Sequence, residues 1–384
     1  MKNNIQIETL SQVHIGSGVF LQKGNDFIVV DSSEGSDIFV IDPNKLGIII
    51  GTDIKTIDTW STLIERGEAE SFLHTRTSGH SPREFAKRRI TNFANFDNTQ
   101  GTLKECLHDG MGRPYIPGSS IKGAIRTAVM ATLAKQKGKE QLTREMSRIF
   151  DETDRKRIVK SLEVIEKRLL GSNPNADLFR FMKVGDAFFE KGSEISVKQI
   201  NLNIRRSSNL KDNSKQQIIE AIGPEEKSSF SLKLEGDYYI AVKNSNHKDL
   251  INLPDLSDEL FDCKALFALI NEHTKGLVED EIRFWNEDVV DYSGQEDYVA
   301  NMEDILEAIT SCNPNQCVLR LGQASGWRFI TGAWTEILDD DLFYDKIVPL
   351  ARPGNYKYSD YDFPKSRRID DESYVFGFIK LTAI

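Results

Sequence analysis

The hydrophobic and polar residues follow two different periods, and these periods divide the chain into strand-like and helix-like regions. A period of two predicts strands at 5–10, 13–15, 27–31, 37–42, 184–190, 195–204, 229–242, 317–322 and 374–384. Polar or helically spaced stretches predict helices at 53–73, 82–96, 131–170, 258–285 and 295–310. The order of these blocks favours an α+β architecture, in which helices cover one face of antiparallel sheets.

The length of 384 residues allows two domains, or one domain with large insertions. Hydrophobic residues make up 39% of the chain, and no apolar run reaches the roughly 18–20 residues of a membrane span. The N-terminal stretch MKNNIQIETLSQVHIGSG alternates like a strand and lacks the apolar core of a signal peptide. We therefore expect a soluble, cytoplasmic protein that does not bind a membrane.

The cysteines and histidines do not suggest a metal centre. Cys106, Cys263, Cys312 and Cys317 are irregularly spaced and form no CxxC pair. Zinc sites usually take two ligands that are close in sequence, and disulfides are rare in a reducing compartment. The six histidines form neither an HExxH motif nor a close pair. The sequence predicts free thiols, no metal and no cofactor.

The segment PYIPGSSIKGAIRTAVM, residues 114–130, has a turn-like entry and a helix that begins near Ser119. At about 100° per residue, Ser119, Lys122 and Arg126 share one face, and apolar residues share the opposite face. Cations at a helix N-terminus oppose the helix dipole, which favours an external anion bound there, with Ser119 or Ser120 as a donor. The alternative is an ordinary amphipathic helix with two surface cations.

Two later segments combine glycine, aromatic and basic residues. In RLGQASGWRFITG the loop 322–332 follows a strand, so its N–H groups could line a phosphate track and Trp327 could stack on a base. The alternative is a glycine-rich turn with Trp327 in the core. FPKSRRI has cations beside aromatic residues, which suits single-stranded nucleic acid but is equally typical of a solvated turn; these cations are Lys365, Arg367 and Arg368.

The net charge of −10, from 49 basic and 59 acidic residues, argues against non-specific coating of DNA. It leaves room for a local positive groove, because charges in salt interact over only about 8 Å. One histidine raises the question of catalysis. His14, which precedes IGSG, could be a general base for RNA cleavage, although we favour a structural or RNA-contacting role.

Five motifs occur in an order that resembles the RAMP proteins, the RNA-binding superfamily of CRISPR systems. They are VHIGSG, YIPGSSIKGAIRT, VGDAFFE, IIEAIGPEEKSSFSLKL and RLGQASGWRFITG. FPKSRRI before a closing strand narrows the resemblance to the subunits that cap the backbone of type III-A Csm effector complexes. The resemblance covers most of the chain, although residues 50–105 and 135–180 contribute little to it.

The resemblance implies a ferredoxin-like (RRM-related) α+β RAMP fold with two units. The first would be residues 1–225, with helical insertions at about 50–105 and 131–180. The second would be residues 226–384, with the glycine-rich loop 322–332. The resemblance also implies a non-catalytic subunit for antiviral defence that binds the 3′ region of the crRNA and helps crRNA 3′-end maturation. Its partners would be a neighbouring RAMP backbone subunit, the small helical subunit and, indirectly, target RNA.

The motifs and the basic segment together predict the RNA-binding residues His14, Ser119, Ser120, Lys122, Arg126, Gly322, Gln323, Ser325, Gly326, Trp327, Lys365, Arg367 and Arg368. The aromatic RNP motifs of RRM domains are not evident, so we expect the RNA to be held by its backbone. Two alternatives remain open. One is a RAMP endoribonuclease that cleaves pre-crRNA or target RNA, and the other is the equivalent cap subunit of a type III-B complex.

Overall fold

The structure is a computed structural model that describes residues 2–33, 35–51, 53–94, 101–150, 155–171, 175–204, 209–210, 216–245, 258–289, 291–351 and 364–384. Its strands are β1 (Lys2–Thr9), β2 (Gly16–Gln22), β3 (Phe27–Ser32), β4 (Gly35–Ile41), β5 (Ala86–Asn92), β6 (Thr102–Cys106), β7 (Tyr115–Ile116), β8 (Met182–Val184), β9 (Ala187–Phe188), β10 (Glu194–Asn203), β11 (Gln216–Ile222), β12 (Lys227–Leu234), β13 (Gln316–Arg320), β14 (Ser366–Ile369) and β15 (Phe378–Ala383). Its helices are α1 (Pro43–Ile50), α2 (Ile54–Glu65), α3 (Ala69–Arg76), α4 (Pro82–Phe85), α5 (Gly118–Lys137), α6 (Lys139–Phe150), α7 (Arg155–Leu170), α8 (Gly236–Lys243), α9 (Cys263–Arg283), α10 (Gln295–Thr310), α11 (Asp340–Leu342) and α12 (Val348–Ala351).

One sheet has five antiparallel strands in the order β13–β15–β1–β12–β8. The first strand of the chain lies at its centre, where Ile5 pairs with Phe230 of β12 on one side and with Ala383 of β15 on the other. Ile5, Ile7 and Leu232 belong to the largest apolar core, which also contains residues of α5 and α9. This sheet therefore positions both helices.

The second sheet has the order β2–β6–β11–β10–β5–β4–β3, and β14 joins it through β10. Two strands pair with the same edge of β10 at different positions. Ser196 pairs with Asn92 of β5, and Ile200 pairs with Ile369 of β14. This sheet brings β6 and β14 to the same region as the end of β13, which becomes important for the site below.

Helix α5 has the polar face and the opposite apolar face that the sequence predicts. Ile121, Ile125 and Ala128 are buried in the large core, whereas Ser119 and Gly123 are exposed. The apolar face packs against the five-stranded sheet and α9 because its apolar residues recur at helical spacing. The polar face of the first two turns is thereby directed away from the core.

The prediction of an α+β fold is confirmed, whereas three segment predictions are wrong. Residues 86–92 form β5 rather than a helix, because Ala86, Ile90 and Asn92 turn inward with a period of two. Residues 236–243 form α8 rather than extending a strand. Residues 366–369 form β14 rather than the solvated turn that FPKSRRI also suggested, because they pair with β10.

The division of the chain at residue 225 stays a prediction. The five-stranded sheet takes β1 and β8 from before that residue and β12, β13 and β15 from after it. Among the helices in the described ranges, none combines the length and the apolarity that spanning a bilayer requires.

Candidate nucleic-acid interface

Helix α5 begins in close contact with the segment around Val184, and the chain supplies its own anion there. The backbone N–H of Gly118 donates to Oδ1 of Asp186 at 2.7 Å. A Cβ atom on residue 118 would lie 2.2 Å from the carbonyl oxygen of Val184, so this approach requires glycine. The helix terminus that the sequence predicted to bind an external anion is therefore partly capped by a carboxylate of the protein.

The two cations of α5 lie on the face that meets Asp177. Nη1 of Arg126 donates to both carboxylate oxygens of Asp177, at 3.1 and 2.8 Å, and the guanidinium lies 5.3 Å from the ring centre of Phe179. Burial lowers the pKa of Lys122, while Asp177 opposes this shift and Arg126 adds to it. Arg126 thus already has a carboxylate partner within the chain.

A neighbouring face of α5 borders an open cleft of about 390 Å³, which we call the α5 cleft. It is lined by Ile15, Gly16, Ser120, Gly123, Ala124, Thr127, Arg320, Leu321, Gly322, Gln323, Ser325, Phe329, Ile330 and Thr331. A Cβ atom on residue 123 would meet open space, so the backbone of this glycine is accessible from the cleft. The cleft therefore joins three of the sequence motifs: HIGSG, the start of α5 and the glycine-rich loop.

Close backbone contacts hold the glycine-rich loop against the HIGSG segment. The N–H of Gln323 donates to the carbonyl oxygen of His14 at 3.1 Å. Gly322 has a φ of 91°, and a Cβ atom there would lie 2.9 Å from the same oxygen. Nζ of Lys104, on β6, donates to Oε1 of Gln323. These contacts fix the position of the loop between β6 and α5.

The other side of the loop borders a second cleft of about 480 Å³, which we call the basic cleft. It is lined by Tyr298, Arg320, Gly322, Gln323, Ala324, Ser325, Gly326, Trp327, Ile330, Pro364, Lys365, Ser366, Arg367 and Arg368. The indole of Trp327 lies edge-on to Phe343, with 5.7 Å between ring centres, and packs on the rim of the large core. Trp327 therefore contacts both the core and the cleft.

Two arginines of FPKSRRI are held by internal partners. Nη2 of Arg367 donates to Oε2 of the buried Glu281 at 2.9 Å, and a second N–H binds the other oxygen of that carboxylate. Nε of Arg368 donates to Oδ1 of Asn201 at 3.1 Å, and its Nη1 donates to the carbonyl oxygen of Gln323. Arg367 thus neutralises a buried carboxylate, whereas Arg368 clamps the glycine-rich loop through neutral oxygens.

His14 lies beneath the surface rather than on it. It is 1% exposed, and its Nδ1 donates to the carbonyl oxygen of Glu220 at 2.6 Å. Burial is the largest cause that lowers the pKa of His14 to about 4, so the ring is neutral at neutral pH. His14 positions the loop through its backbone, and its buried Nε2 would lie 3.0 Å from a Cβ atom on Gly16, a residue that lines the α5 cleft.

The two clefts carry positive charge in an acidic chain. Among the described residues that line them, none is Asp or Glu, and four are cationic: Arg320, Lys365, Arg367 and Arg368. Sequence reasoning missed two nearby cations, Arg320 and Lys104. Arg320 lies two residues before the first glycine of the glycine-rich loop, and that position was the available signal. Lys104 stands in a short strand with no motif to mark it.

A cluster of potential metal ligands lies nearby, formed by Glu105, His108 and Glu220 within 4.8 Å of one another. Arg88 already occupies it, since its Nη2 donates to Glu105 at 3.0 Å and its Nε donates to Glu220 at 2.9 Å. The guanidinium supplies the positive charge that a metal ion would bring, so these residues form an internal ion-pair network rather than a metal centre.

The family of the chain follows from a comparison of its sequence. A model of the RAMP superfamily matches residues 6–327, which is well over half of the chain. The chain belongs to the RAMP superfamily. This RAMP protein is 26% identical over 267 residues to "CRISPR system Cms protein Csm5" of Methanocaldococcus jannaschii, covering 67% of this chain and 53% of that protein. The match therefore spans only about half the length of that relative.

A second relative has the same description and comes from Streptococcus thermophilus. It is 51% identical to this RAMP protein over 41 residues, which are 10% of this chain and 12% of the relative. Because this match is short, it supports a local likeness and not an equivalence of the whole chains.

Two solved structures have a similar fold. A chain in a cryo-EM structure of a Csm–crRNA–target RNA ternary complex of a type III-A CRISPR–Cas system superposes with a TM-score of 0.67 at 18% identity, covering 100% of both chains. The crystal structure of T. onnurineus Csm5 superposes with a TM-score of 0.63 at 18% identity, covering 97% of this chain and 99% of that one. At this identity the likeness establishes the RAMP fold.

Proposed function

We propose that this RAMP protein is a non-catalytic, RNA-binding subunit of a type III-A Csm effector complex. It holds the 3′ region of the crRNA at one end of the backbone filament and helps crRNA 3′-end maturation. Its protein partners are a neighbouring RAMP backbone subunit and the small helical subunit, and it meets target RNA through the complex. It acts in the cytoplasm and uses no cofactor.

The observation that carries this proposal is the charge of the two clefts. The chain has a net charge of −10, yet the described residues around the glycine-rich loop contribute no carboxylate to the cleft walls and four cations, of which Arg367 is paired with the buried Glu281. Such a local positive surface favours a polyanion. The two clefts meet along the glycine-rich loop. This arrangement suits an RNA strand that passes from the start of α5 toward Lys365.

The chemistry of the clefts favours contacts to the RNA backbone. Ser120, Ser325 and the N–H groups of the loop are donors that suit phosphate and ribose oxygens. Such contacts do not read sequence, as expected of a subunit that carries variable guides. Of the residues predicted from sequence, we assign Ser119, Ser120, Gly322, Gln323, Ser325, Gly326, Trp327, Lys365 and Arg368 to the RNA-facing surface. We assign Lys122 and Arg126 to its rim, and His14 and Arg367 to its support.

The relatives support the choice of complex. Both curated relatives are described as Csm5, and one of the similar structures contains crRNA and target RNA. The likeness to Csm5 favours a type III-A complex over the equivalent cap of a type III-B complex.

Affinity purification of the tagged chain from its native cells tests the proposal. We expect one copy of the chain per complex, together with other RAMP proteins and an RNA that includes crRNA sequence, as measured by native mass spectrometry and RNA sequencing. Recovery of the folded chain without RNA would reject the proposal. Several copies per complex would point to a backbone subunit instead.

An endoribonuclease is the competing function, with His14 as the base. The burial of His14 and its bond to the carbonyl oxygen of Glu220 disfavour this role. Incubation of the purified chain with pre-crRNA, without divalent ions, is expected to leave the RNA intact. Cleavage that is lost in His14→Ala would favour the enzyme.

A further inference from the structure

We propose that Arg320 is a phosphate-binding residue at the junction of the two clefts, and that its ligand is the backbone of a single RNA strand. This inference rests on the proposed function, because it names a contact within the same surface. Arg320 ends β13, and it belongs to the small group of residues that line both clefts: Arg320, Gly322, Gln323, Ser325 and Ile330. An RNA strand that crosses from one cleft to the other must pass Arg320.

Two aromatic rings fix the plane of the Arg320 guanidinium. Its central carbon lies 5.0 Å from the ring centre of Phe329 and 4.8 Å from that of Phe378. Nε donates to the carbonyl oxygen of Phe376 at 2.8 Å, and Nη2 donates to that of Ala324 at 3.5 Å. A guanidinium has five N–H donors, and these bonds to the described part of the chain use two of them. Arg320 thus has donors left for a ligand in the clefts.

No carboxylate in the described part of the chain forms an ion pair with Arg320. Tyr298 and Glu281 favour its charged form from a distance, and the carboxylate of Glu281 is already bound by Arg367. The pKa of Arg320 is lowered to about 10, mainly because of burial, and the charges of Arg367 and Arg368 contribute to this shift while Tyr298 and Glu281 oppose it. A largely enclosed cation without an ion-pair partner in the described part of the chain is costly for the folded chain, and an external anion would relieve that cost.

Lys104 is a second cation near the loop that lies close to a like charge. Burial lowers the pKa of Lys104, and the charge of Arg368 lowers it further. Lys104 binds the side chain of Gln323, and Arg368 binds its carbonyl oxygen, so both cations converge on the loop residue that follows Gly322. The positive potential is therefore centred on the loop, next to Arg320.

Phosphate is the anion that this arrangement favours. A planar, orientationally fixed guanidinium matches two phosphate oxygens, and hydroxyl donors such as Ser325 and Ser366 lie in the same walls. Inorganic phosphate shares this chemistry. We assign the site to an RNA strand because two clefts that meet at one cation form a track, which a polymer can fill and a single small anion cannot.

Arg320→Met tests the inference, because methionine is long and apolar and can remain between the two phenylalanine rings. We expect the affinity of the full-length chain for a 20-nucleotide single-stranded RNA to fall about 10- to 100-fold. The slope of log affinity against log salt should become shallower by about 0.7. The melting temperature without RNA should stay close to that of wild type, because an unmatched cation is removed. Lys275→Met, which removes an exposed cation paired with Glu279, is the matched control and should bind as wild type.

Arg320→Lys separates charge from geometry, since it keeps the positive charge and loses the planar set of N–H donors. We expect its affinity for RNA to lie between those of wild type and Arg320→Met. Wild-type affinity in Arg320→Met would overturn the inference, as would a large fall in its melting temperature with unchanged affinity. If the variants do not fold, hydrogen exchange on wild type replaces them, with RNA-dependent protection expected at residues 321–326. Absence of that protection, or equal protection by inorganic phosphate alone, would overturn the assignment. Wild-type protein that binds no RNA would reject the proposed function itself.

Discussion

Replacing Arg367 by methionine is expected to destabilise the folded chain, because it leaves Glu281 buried without a counter-charge. Glu281 is 8% exposed, and its carboxylate accepts hydrogen bonds from Arg367 at 2.9 Å and from Trp285 and Tyr298 at 2.8 Å. Burial alone would raise the pKa of Glu281, but the charge of Arg367 and these donors hold it below its ordinary value. The carboxylate therefore stays ionised inside the protein and needs its partner.

The size of the effect follows from the burial of the pair. Removing one partner of a buried ion pair costs about 3–5 kcal/mol. With an unfolding entropy of about 2 cal/mol/K per residue, this cost lowers the melting temperature of a chain of 384 residues by about 4–6 °C. Because the pKa of Glu281 is lowered in the folded state, the pair stabilises the chain at neutral pH and loses this effect as the pH falls. The deficit of the variant should therefore shrink as the pH falls into the acidic range, because protonation of Glu281 removes the unpaired buried charge.

Urea unfolding at neutral and acidic pH, followed by tryptophan fluorescence, measures this deficit. Arg283→Met is the control, because Arg283 and its partner Asp280 are both exposed and such pairs contribute about 1 kcal/mol or less. Adding Glu281→Gln to the variant should restore most of the stability, since a neutral amide oxygen still accepts from Trp285 and Tyr298. If Arg367→Met unfolds at the wild-type urea concentration near pH 7, the reasoning is refuted, and Arg367 would be available to bind RNA.

Two further predictions concern the start of α5 and the buried histidine. Gly118→Ala should lower the melting temperature, because its Cβ would lie 2.2 Å from the carbonyl oxygen of Val184. Gly123→Ala is the control and should not lower it, because its Cβ meets open space. An equal loss in both variants would contradict the close contact at Gly118. The pKa of His14 is lowered from 6.5 to about 4, so the unfolded chain takes up the proton first and wild-type stability should fall through that window as the pH drops. Thermal unfolding should show a flatter profile for His14→Gln, and an unchanged profile would contradict the burial of a neutral ring.

The sequence predicts those features of the site in which residue type dictates local geometry. The start of α5 and its buried face follow from a turn-like entry and the helical spacing of Ile121 and Ile125. The sequence does not reveal the short strand at 86–92, because its three consecutive cations obscure the period of two. Arg88 in that strand is largely buried against Glu220, 132 residues away, and a charge pattern along the chain does not reveal such a partner.

Because the sequence does not reveal partners that are far apart along the chain, the net charge of the chain does not predict the charge of this surface. Four arginines near the clefts and the neighbouring ion pairs differ in the oxygens that they bind. Arg88, Arg126 and Arg367 bind carboxylates, so their charges are cancelled within the protein. Arg320 donates to carbonyl oxygens, which hold its guanidinium in place without cancelling its charge. Arg320 lies beside the glycine-rich loop, so an acidic chain can keep a positive charge there while carboxylates cancel the charges of Arg88, Arg126 and Arg367.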